Sequence, residues 1–324
     1  MNFKNKNVLI TGANGMIGRA LLEKMVELDA NILAIDLFEP KEFDKRVKFK
    51  SGDLREFSFC KEIMKGMDIV FHVAGIKGSP QACMENPADF FIPMVQFNTN
   101  VLEAARLERV KAIAYTSSIG VYSPSNLFKE DELWEGLPSK NDWYGGWAKR
   151  IGEMQVDAYK VQYNWNGIKV LRPANVYGKF DNFNINGAMV IPSLIHKASL
   201  ATEKLDVFGD GTPIRDFIHA EDVAEGLIFS ILKDIEKPMN LGSGKGHSIF
   251  EIASLVVKHT NPSLEINWLG TDFVGDNIRI MDCTRSKKLG YNPKISIEDG
   301  IKDTILWFSK NKEIALKRFN AFKK

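Results

Sequence analysis

The first apolar run of the chain leads into TGANGMIG, residues 11–18, in which Gly12, Gly15 and Gly18 recur at every third position. This G-x-x-G-x-x-G spacing is a variant of the dinucleotide fingerprint, with its first two glycines one residue further apart. The chemistry it offers is anion binding by main chain. It needs a tight turn, a backbone close enough to touch pyrophosphate, and a helix N-terminus aimed at that anion. Asn14, Met16 and Ile17 fill the turn and the helix start. Asp36 closes the second apolar run, near the separation of roughly 20 residues at which an acid is expected to hold the adenosine ribose hydroxyls. No Arg or Lys follows it before Lys41, which favours NAD over NADP. Asp53 and Leu54 are placed to flank the adenine, and Ala74-Gly75 to let backbone approach the cofactor.

Such a site requires strands that end where these residues stand. Short β-branched runs at 8–13, 31–37, 47–54, 68–75, 110–118 and 167–176 alternate with helical patterns. Several are apolar throughout, as parallel strands covered on both faces should be. The order predicts an α/β, Rossmann-like doubly wound parallel sheet with its ligand crevice at the carboxyl ends of the strands. After Gly178 the rhythm breaks, and 179–210 and 244–296 become rich in Asn, Gly and Ser. We expect 1–178 with 211–243 to form the NAD-binding part. The segments 179–210 and 244–324 then form a smaller, interleaved substrate domain, with FNAFKK as a frayed tail.

The 324 residues carry 43 Lys+Arg against 41 Asp+Glu, a net charge of +2, with no basic cluster before the C-terminal tail. This balance offers no footprint for nucleic acid or an anionic membrane, so a small-molecule partner is expected. No apolar stretch approaches the roughly 18 residues of a membrane span. Cys60, Cys83 and Cys283 are odd in number and far apart, giving neither a disulfide framework nor a zinc-ligand spacing. A reducing, cytoplasmic setting and no metal are expected.

In order along nearly the whole chain stand TGANGMIG, HVAG, YTSSIGVYS, GGWAKRIGE, LRPANVYG, VFGDGTPIRDFIHAEDVAEG and NLGSG. This ordered set resembles the extended short-chain dehydrogenases/reductases, the NAD-dependent epimerase/dehydratases that act on nucleotide sugars. VYGKFDNFNINGAMVIPSLI is similar to the corresponding stretch of GDP-fucose synthases and their GDP-mannose-processing relatives, which implies GDP as the nucleotide. In this family a Ser or Thr, a Tyr and a Lys four residues later do the chemistry. The Tyr exchanges the hydroxyl proton while hydride passes between sugar carbon and nicotinamide, and the Lys binds the nicotinamide ribose and lowers the phenol pKa. By resemblance Ser118 is the hydroxyl, with Ser117 beside it, and Lys149 is the lysine.

The tyrosine position holds Gly145, followed by Gly146 where the family's Gly stands. Tyr144 is five residues from Lys149, which on a helix sets it roughly 140° away rather than about 40°. Either the departure is natural or a Tyr was replaced to trap a complex, and the helix-start cost of Gly-Gly favours replacement. Epimerising relatives also use a Cys and a His, at positions that here are Gly120 and Met189, which implies redox without epimerisation. His196 and His219 lie elsewhere and are expected to be structural.

The resemblance places Lys77 near the sugar and Arg215 and Arg279 on the diphosphate, where planar guanidinium suits bidentate binding. It places Asn175, Val190, Lys197 and Phe208 around sugar and base, and Val176 near the cofactor. The implied activity is NAD-dependent oxidation or reduction of a ring carbon, C4, of a GDP-linked hexose or heptose, in the making of surface-polysaccharide sugars. The alternatives are a nucleotide-sugar 4-epimerase or 4,6-dehydratase of the same fold, or a non-catalytic binder of NAD or nucleotide sugar, which Gly145 alone would favour. Helices near 94–108 and 144–162 match those by which the family pairs, so a homodimer is expected.

Overall fold

A computed structural model describes residues 2–40, 44–270 and 276–317, so Lys41 and the FNAFKK tail lie outside the described residues. The amino-terminal half runs β1 (Asn7–Thr11), α1 (Met16–Glu27), β2 (Asn31–Asp36), β3 (Val47–Ser51), α2 (Phe57–Met64) and β4 (Ile69–His72). It continues with α3 (Pro80–Glu85), α4 (Pro87–Leu107), β5 (Ala112–Thr116), β6 (Leu127–Phe128), α5 (Trp143–Tyr163), β7 (Ile168–Pro173) and β8 (Asn175–Tyr177). Then come α6 (Val190–Leu200), β9 (Lys204–Val207), β10 (Ile214–Arg215), β11 (Phe217–His219), α7 (Ala220–Leu232), β12 (Met239–Leu241) and β13 (His247–Ser248). The chain closes with α8 (Ile249–Thr260), β14 (Glu265–Trp268), β15 (Ile278–Met281), α9 (Thr284–Leu289), α10 (Ile297–Lys310) and α11 (Lys312–Leu316).

Seven parallel strands form the main sheet in the order β12-β7-β5-β4-β1-β2-β3. The order reverses between β1 and β4, and the crevice for a ligand opens at their carboxyl ends. Alternation along each strand feeds two cores. Val8, Ile10, Ile69, Phe71 and Ala114 pack with α1 and α7 residues such as Leu21 and Leu227. Leu9, Val70, Ile113 and Tyr115 pack with Ile63, Val101 and Val156 of α2, α4 and α5. Both faces are thus covered, which is why these strands read as unbroken apolar runs. The run expected at 167–176 divides at Ala174: β7 stays in the main sheet, while β8 pairs with β11.

The remaining strands make a four-stranded sheet, β13-β10-β15-β6, and the pairs β11-β8 and β14-β9. A third core joins Tyr177, Phe183, Ile191, Ile252 and Ile301, bringing α6, α8 and α10 together. Within 211–243, α7 and β12 belong to the main layers, while β10 pairs in the small sheet. Among the described residues no helix is long and apolar enough to cross a membrane.

Candidate active site

At the end of β1 the chain turns at Gly12 with φ +69°, and a Cβ there would lie 2.7 Å from Ala74 Cα. The turn therefore rests directly on the end of β4, at a backbone angle that favours glycine. A Cβ on Gly18 would lie 2.2 Å from the Gly12 carbonyl oxygen, so α1 can approach the turn only without a side chain. Gly15 caps α1 with no side-chain hydrogen bond and no acid in the first turn, leaving the helix N–H groups and their partial positive charge for an anion. Met16 is buried and Ile17 packs on the core behind them. A dinucleotide pyrophosphate fits this cradle.

Asp36 stands at the end of β2, its Oδ2 accepting the Asn14 N–H at 2.9 Å and its Oδ1 that of Leu37 at 2.8 Å. Asp53 holds Arg55 through Nε (2.9 Å) and Nη2 (2.6 Å), and Leu54 is buried, its carbonyl accepting Asn100 Nδ2. Three residues not anticipated from the sequence lock the β4 end. Thr11 Oγ1 lies 2.8 Å from His72 Nδ1 and accepts the Ala74 N–H at 3.3 Å, and His72 Nε2 lies 2.9 Å from Asn98 Oδ1. Burial, reinforced by the Lys149 charge, pushes the His72 pKa down to about 3, so the ring is a neutral strut.

Lys149 comes from α5. It is buried, and its Nζ donates to the Thr116 carbonyl at 2.8 Å and lies over the Tyr115 ring at 5.3 Å. Nζ also stands 4.0 Å from where a Cβ on Gly75 would be, so lysine and β4 end meet in the crevice. Burial lowers its pKa to about 8, with Glu153 opposing the shift. One turn on, Glu153 accepts Ser117 Oγ (2.5 Å) and pairs with Arg172 of β7 at 2.6 Å, pinning α5 to the sheet. Ser118 follows β5, and its Oγ accepts the Gly120 N–H at 3.0 Å.

Gly145 lies in the first turn of α5 with open space before it, since a Cβ would meet only Met94 Cε, at 4.0 Å. Gly146 is different: a Cβ there would lie 2.3 Å from the Gly120 carbonyl oxygen. That close approach gives Gly146 a packing reason. Tyr144 points elsewhere, edge-on to Phe91 of α4. Asp142, just before the helix, was not singled out from the sequence. Its Oδ2 is 2.6 Å from Arg279 Nη1, and its Cβ and Cγ lie 3.2 Å from where a Cβ on Gly120 would stand.

The other anticipated residues stand on the loop after β4, on β8, α6, β10 and β15, and just after β9. Lys77 donates to the Val176 carbonyl at 2.8 Å and pairs with buried Asp181 at 2.9 Å, tying the loop after β4 to the one after β8. Asn175 Nδ2 donates to the Asp216 carbonyl. Val190 begins α6, half-buried on the third core. Lys197 Nζ sits 4.5 Å over the ring of Phe208, which is itself 69% exposed and offers a face to a ligand. Arg215 donates to the Ile214 carbonyl, and burial beside the Arg279 charge lowers its pKa to about 10. Arg279, expected on a diphosphate, pairs through Nη1 with Asp142, with Asp276 3.7 Å from its Nε. His196 Nδ1 bonds the Phe183 carbonyl and His219 Nδ1 accepts the Glu221 N–H, both scaffold roles. His219, Glu221 and Asp303 cluster, but Lys179 Nζ already sits among them, 3.4 and 3.1 Å from the two acids.

A reversing parallel sheet with a glycine turn on its switch point defines a dinucleotide-binding α/β protein. The model of the NAD dependent epimerase/dehydratase family matches residues 8–242, and the chain belongs to that family. Its cofactor is accordingly a nicotinamide dinucleotide, NAD in the family's description. GDP-L-fucose synthase 1 of Arabidopsis thaliana is 29% identical over 320 residues, covering 96% of this chain and 95% of that one. Among solved structures, the epimerase Mth375 of Methanothermobacter thermautotrophicus superposes with a TM-score of 0.87 at 26% identity, covering 97% of this chain and 95% of that one. A GDP-L-fucose synthetase of Naegleria fowleri bound to NADP shares the fold at a TM-score of 0.81 and 24% identity, covering 97% and 96%.

Proposed function

We propose that this protein is an oxidoreductase that moves hydride between NAD(H) and a ring carbon, C4, of a GDP-linked hexose or heptose, without epimerisation. The observation that carries the reading is buried Lys149 at the crevice beside Gly75, within an NAD-dependent family whose relative from Arabidopsis thaliana is a GDP-L-fucose synthase. When bound, the cofactor supplies or accepts the hydride. Gly12, Gly15 and Gly18 hold its pyrophosphate, Asp36 its adenosine ribose, and Lys149 the nicotinamide ribose. Ser118 orients the reacting hydroxyl, and Lys77, Arg215 and the Lys197–Phe208 pair face the nucleotide sugar.

Asp36 favours NAD, because a 2′-phosphate beside a carboxylate is repelled and the ribose hydrogen bonds are lost. Epimerisation needs a group on each face to move a carbon proton, and Met189 provides none. The sugar-binding part is the 179–210 and 244–324 region. The working form is a cytoplasmic homodimer joined through α4 and α5, whose Ile92, Tyr144 and Met154 are exposed. The test is nicotinamide absorbance with NADH and a GDP-4-keto-6-deoxyhexose, in deuterated water. Oxidation of NADH without deuterium at the ring carbons flanking C4 is expected. Equal release and recapture of hydride, with no net change in NADH, would instead favour a 4-epimerase.

A further inference from the structure

We infer that Lys149 is the acid–base residue of this site, its Nζ exchanging the proton of the reacting sugar hydroxyl that no side chain at Gly145 can exchange. This rests on the oxidoreductase reading above. Gly145 and Lys149 are four residues apart on α5, about 40° around the helix and about 6 Å along it, so they share a face. Gly145 leaves open space, with only Met94 Cε, 4.0 Å from its Cβ position. Lys149 carries its Nζ to 4.0 Å from the Cβ position of Gly75, beyond the end of β4. A sugar hydroxyl that enters the crevice by the space before Gly145 therefore approaches Nζ with no side chain of residue 145 in its way.

Nζ can both give and take a proton there. It donates to the Thr116 carbonyl at 2.8 Å, and an ammonium has three N–H groups. As a neutral amine it keeps that bond, gives a second N–H to the nicotinamide ribose and turns its lone pair to the sugar hydroxyl. Among the described residues no carboxylate is ion-paired with it: Glu153, one turn on, is bound to Arg172 at 2.6 Å and to Ser117 Oγ. Burial brings the Lys149 pKa down to about 8 against the pull of Glu153, so amine and ammonium are both accessible near that pH. The other groups that face it do not titrate in this range. Burial pushes His72 of β4 down to about 3, and it raises the phenol of Tyr115 on β5, which donates to the Lys149 carbonyl, well above its usual value. Asp142 and Asp181 are paired with Arg279 and Lys77.

In the oxidation direction the hydroxyl O–H bond breaks and its proton passes to the Nζ lone pair, giving the ammonium. The C–H bond breaks with its electron pair leaving as hydride to the NAD nicotinamide, and the carbonyl forms. In reduction hydride returns from NADH to that carbon, and the ammonium gives its proton to the oxygen and becomes the amine. On this reading Gly145 needs no replaced tyrosine to explain it.

The first test needs no substrate. In the ligand-free protein, NMR of carbon-13-labelled lysine should show an ε-carbon that titrates at about pH 8 and is lost in Lys149→Arg; a Lys149 signal titrating above about pH 9.5 overturns the proposal. The second is single-turnover hydride transfer at saturating cofactor, followed by nicotinamide absorbance, with NADH and GDP-4-keto-6-deoxymannose and with NAD and GDP-mannose. Oxidation should rise with pH through the Lys149 pKa, and reduction should fall. Lys149→Arg keeps a cation and its N–H groups but releases no proton in this range, so it should slow transfer by at least about 10²-fold and abolish that pH dependence. Its NADH dissociation constant, measured by fluorescence, should stay within about tenfold, because the glycine cradle is untouched. Adding Gly145→Tyr to Lys149→Arg should restore at least about tenfold, since a phenol beside a guanidinium can then exchange the proton, whereas a purely structural loss would not be recovered that way. If arginine does not support folding, Lys149→Ala takes its place, and added propylamine should speed its transfer at least about tenfold. Transfer by Lys149→Arg within about threefold of the unaltered chain overturns the proposal, as does a slowed variant that keeps the pH dependence, a double variant no faster than the single, or no rescue by propylamine where alanine is used. Those results leave the functional reading standing; no transfer by the unaltered chain with either pair overturns that reading and this proposal with it.

Discussion

Lys149 is expected to destabilise the ligand-free protein at neutral pH, and Lys149→Met to make it more stable. Burial holds its pKa at about 8 in the folded chain against the ordinary 10.5. At about 1.4 kcal/mol per pH unit, that gap corresponds to about 3 kcal/mol of cost in burying the charged form. Methionine removes this cost but forfeits the Nζ hydrogen bond to the Thr116 carbonyl, about 1 kcal/mol, so the variant should gain about 2 kcal/mol at about pH 7. The sign then changes with pH. The folded pKa is the lower one, so between about 8 and 10.5 the unfolded chain keeps a proton the folded chain has lost, and stability rises with pH. By about pH 9.5 the unaltered chain should have recovered about 2 kcal/mol, erasing the advantage of the variant. Urea unfolding of both proteins at the two pH values measures this directly, and taking the difference cancels the other titrating groups. A stability difference that stays constant between the two pH values would refute the reasoning, because Lys149 would then titrate alike folded and unfolded.

Gly18→Ala should lower the melting temperature and weaken NAD binding at least about tenfold by calorimetry, because its methyl would stand 2.2 Å from a backbone oxygen and either the turn or the helix must move. NAD should bind at least about tenfold more tightly than NADP, and equal affinities by calorimetry would remove the role given to Asp36. Gly145→Tyr alone should leave thermal stability unchanged or slightly raised, since its Cβ enters open space and glycine is the poorer helix former by a few tenths of a kcal/mol. Light scattering at micromolar concentration should give about twice the 36.5 kDa of the chain, and a monomer mass would contradict pairing through α4 and α5.

What could be read from the sequence divides by the range of the physics. Six of the seven strands of the main sheet, β12 excepted, and the glycine turn rest on local patterns: apolar runs, and positions where only a missing Cβ allows the turn at Gly12 or the contact of Gly18 with it. Tyr144 could be turned away from Lys149 by helix geometry alone, and it meets Phe91 edge-on. Asp142 could not be found that way, nor could its hold on Arg279, because both depend on the segment at 119–121 meeting the start of α5. Residue types at 120 and 145, taken singly, record two absent side chains. The packing joins them: the contact at Gly146 sets how far the helix advances, and that advance carries Asp142 into the space that Gly120 leaves. A bulkier residue at 146 would therefore act at a distance, by backing α5 and its Lys149 away from the turn, while leaving Ser118, which follows β5, where it stands. Gly146→Ala should accordingly lower the melting temperature and weaken NADH binding, measured by fluorescence, because Lys149 moves with the helix. If it did neither, the coupling between the helix start and the turn at 119–121 would be wrong.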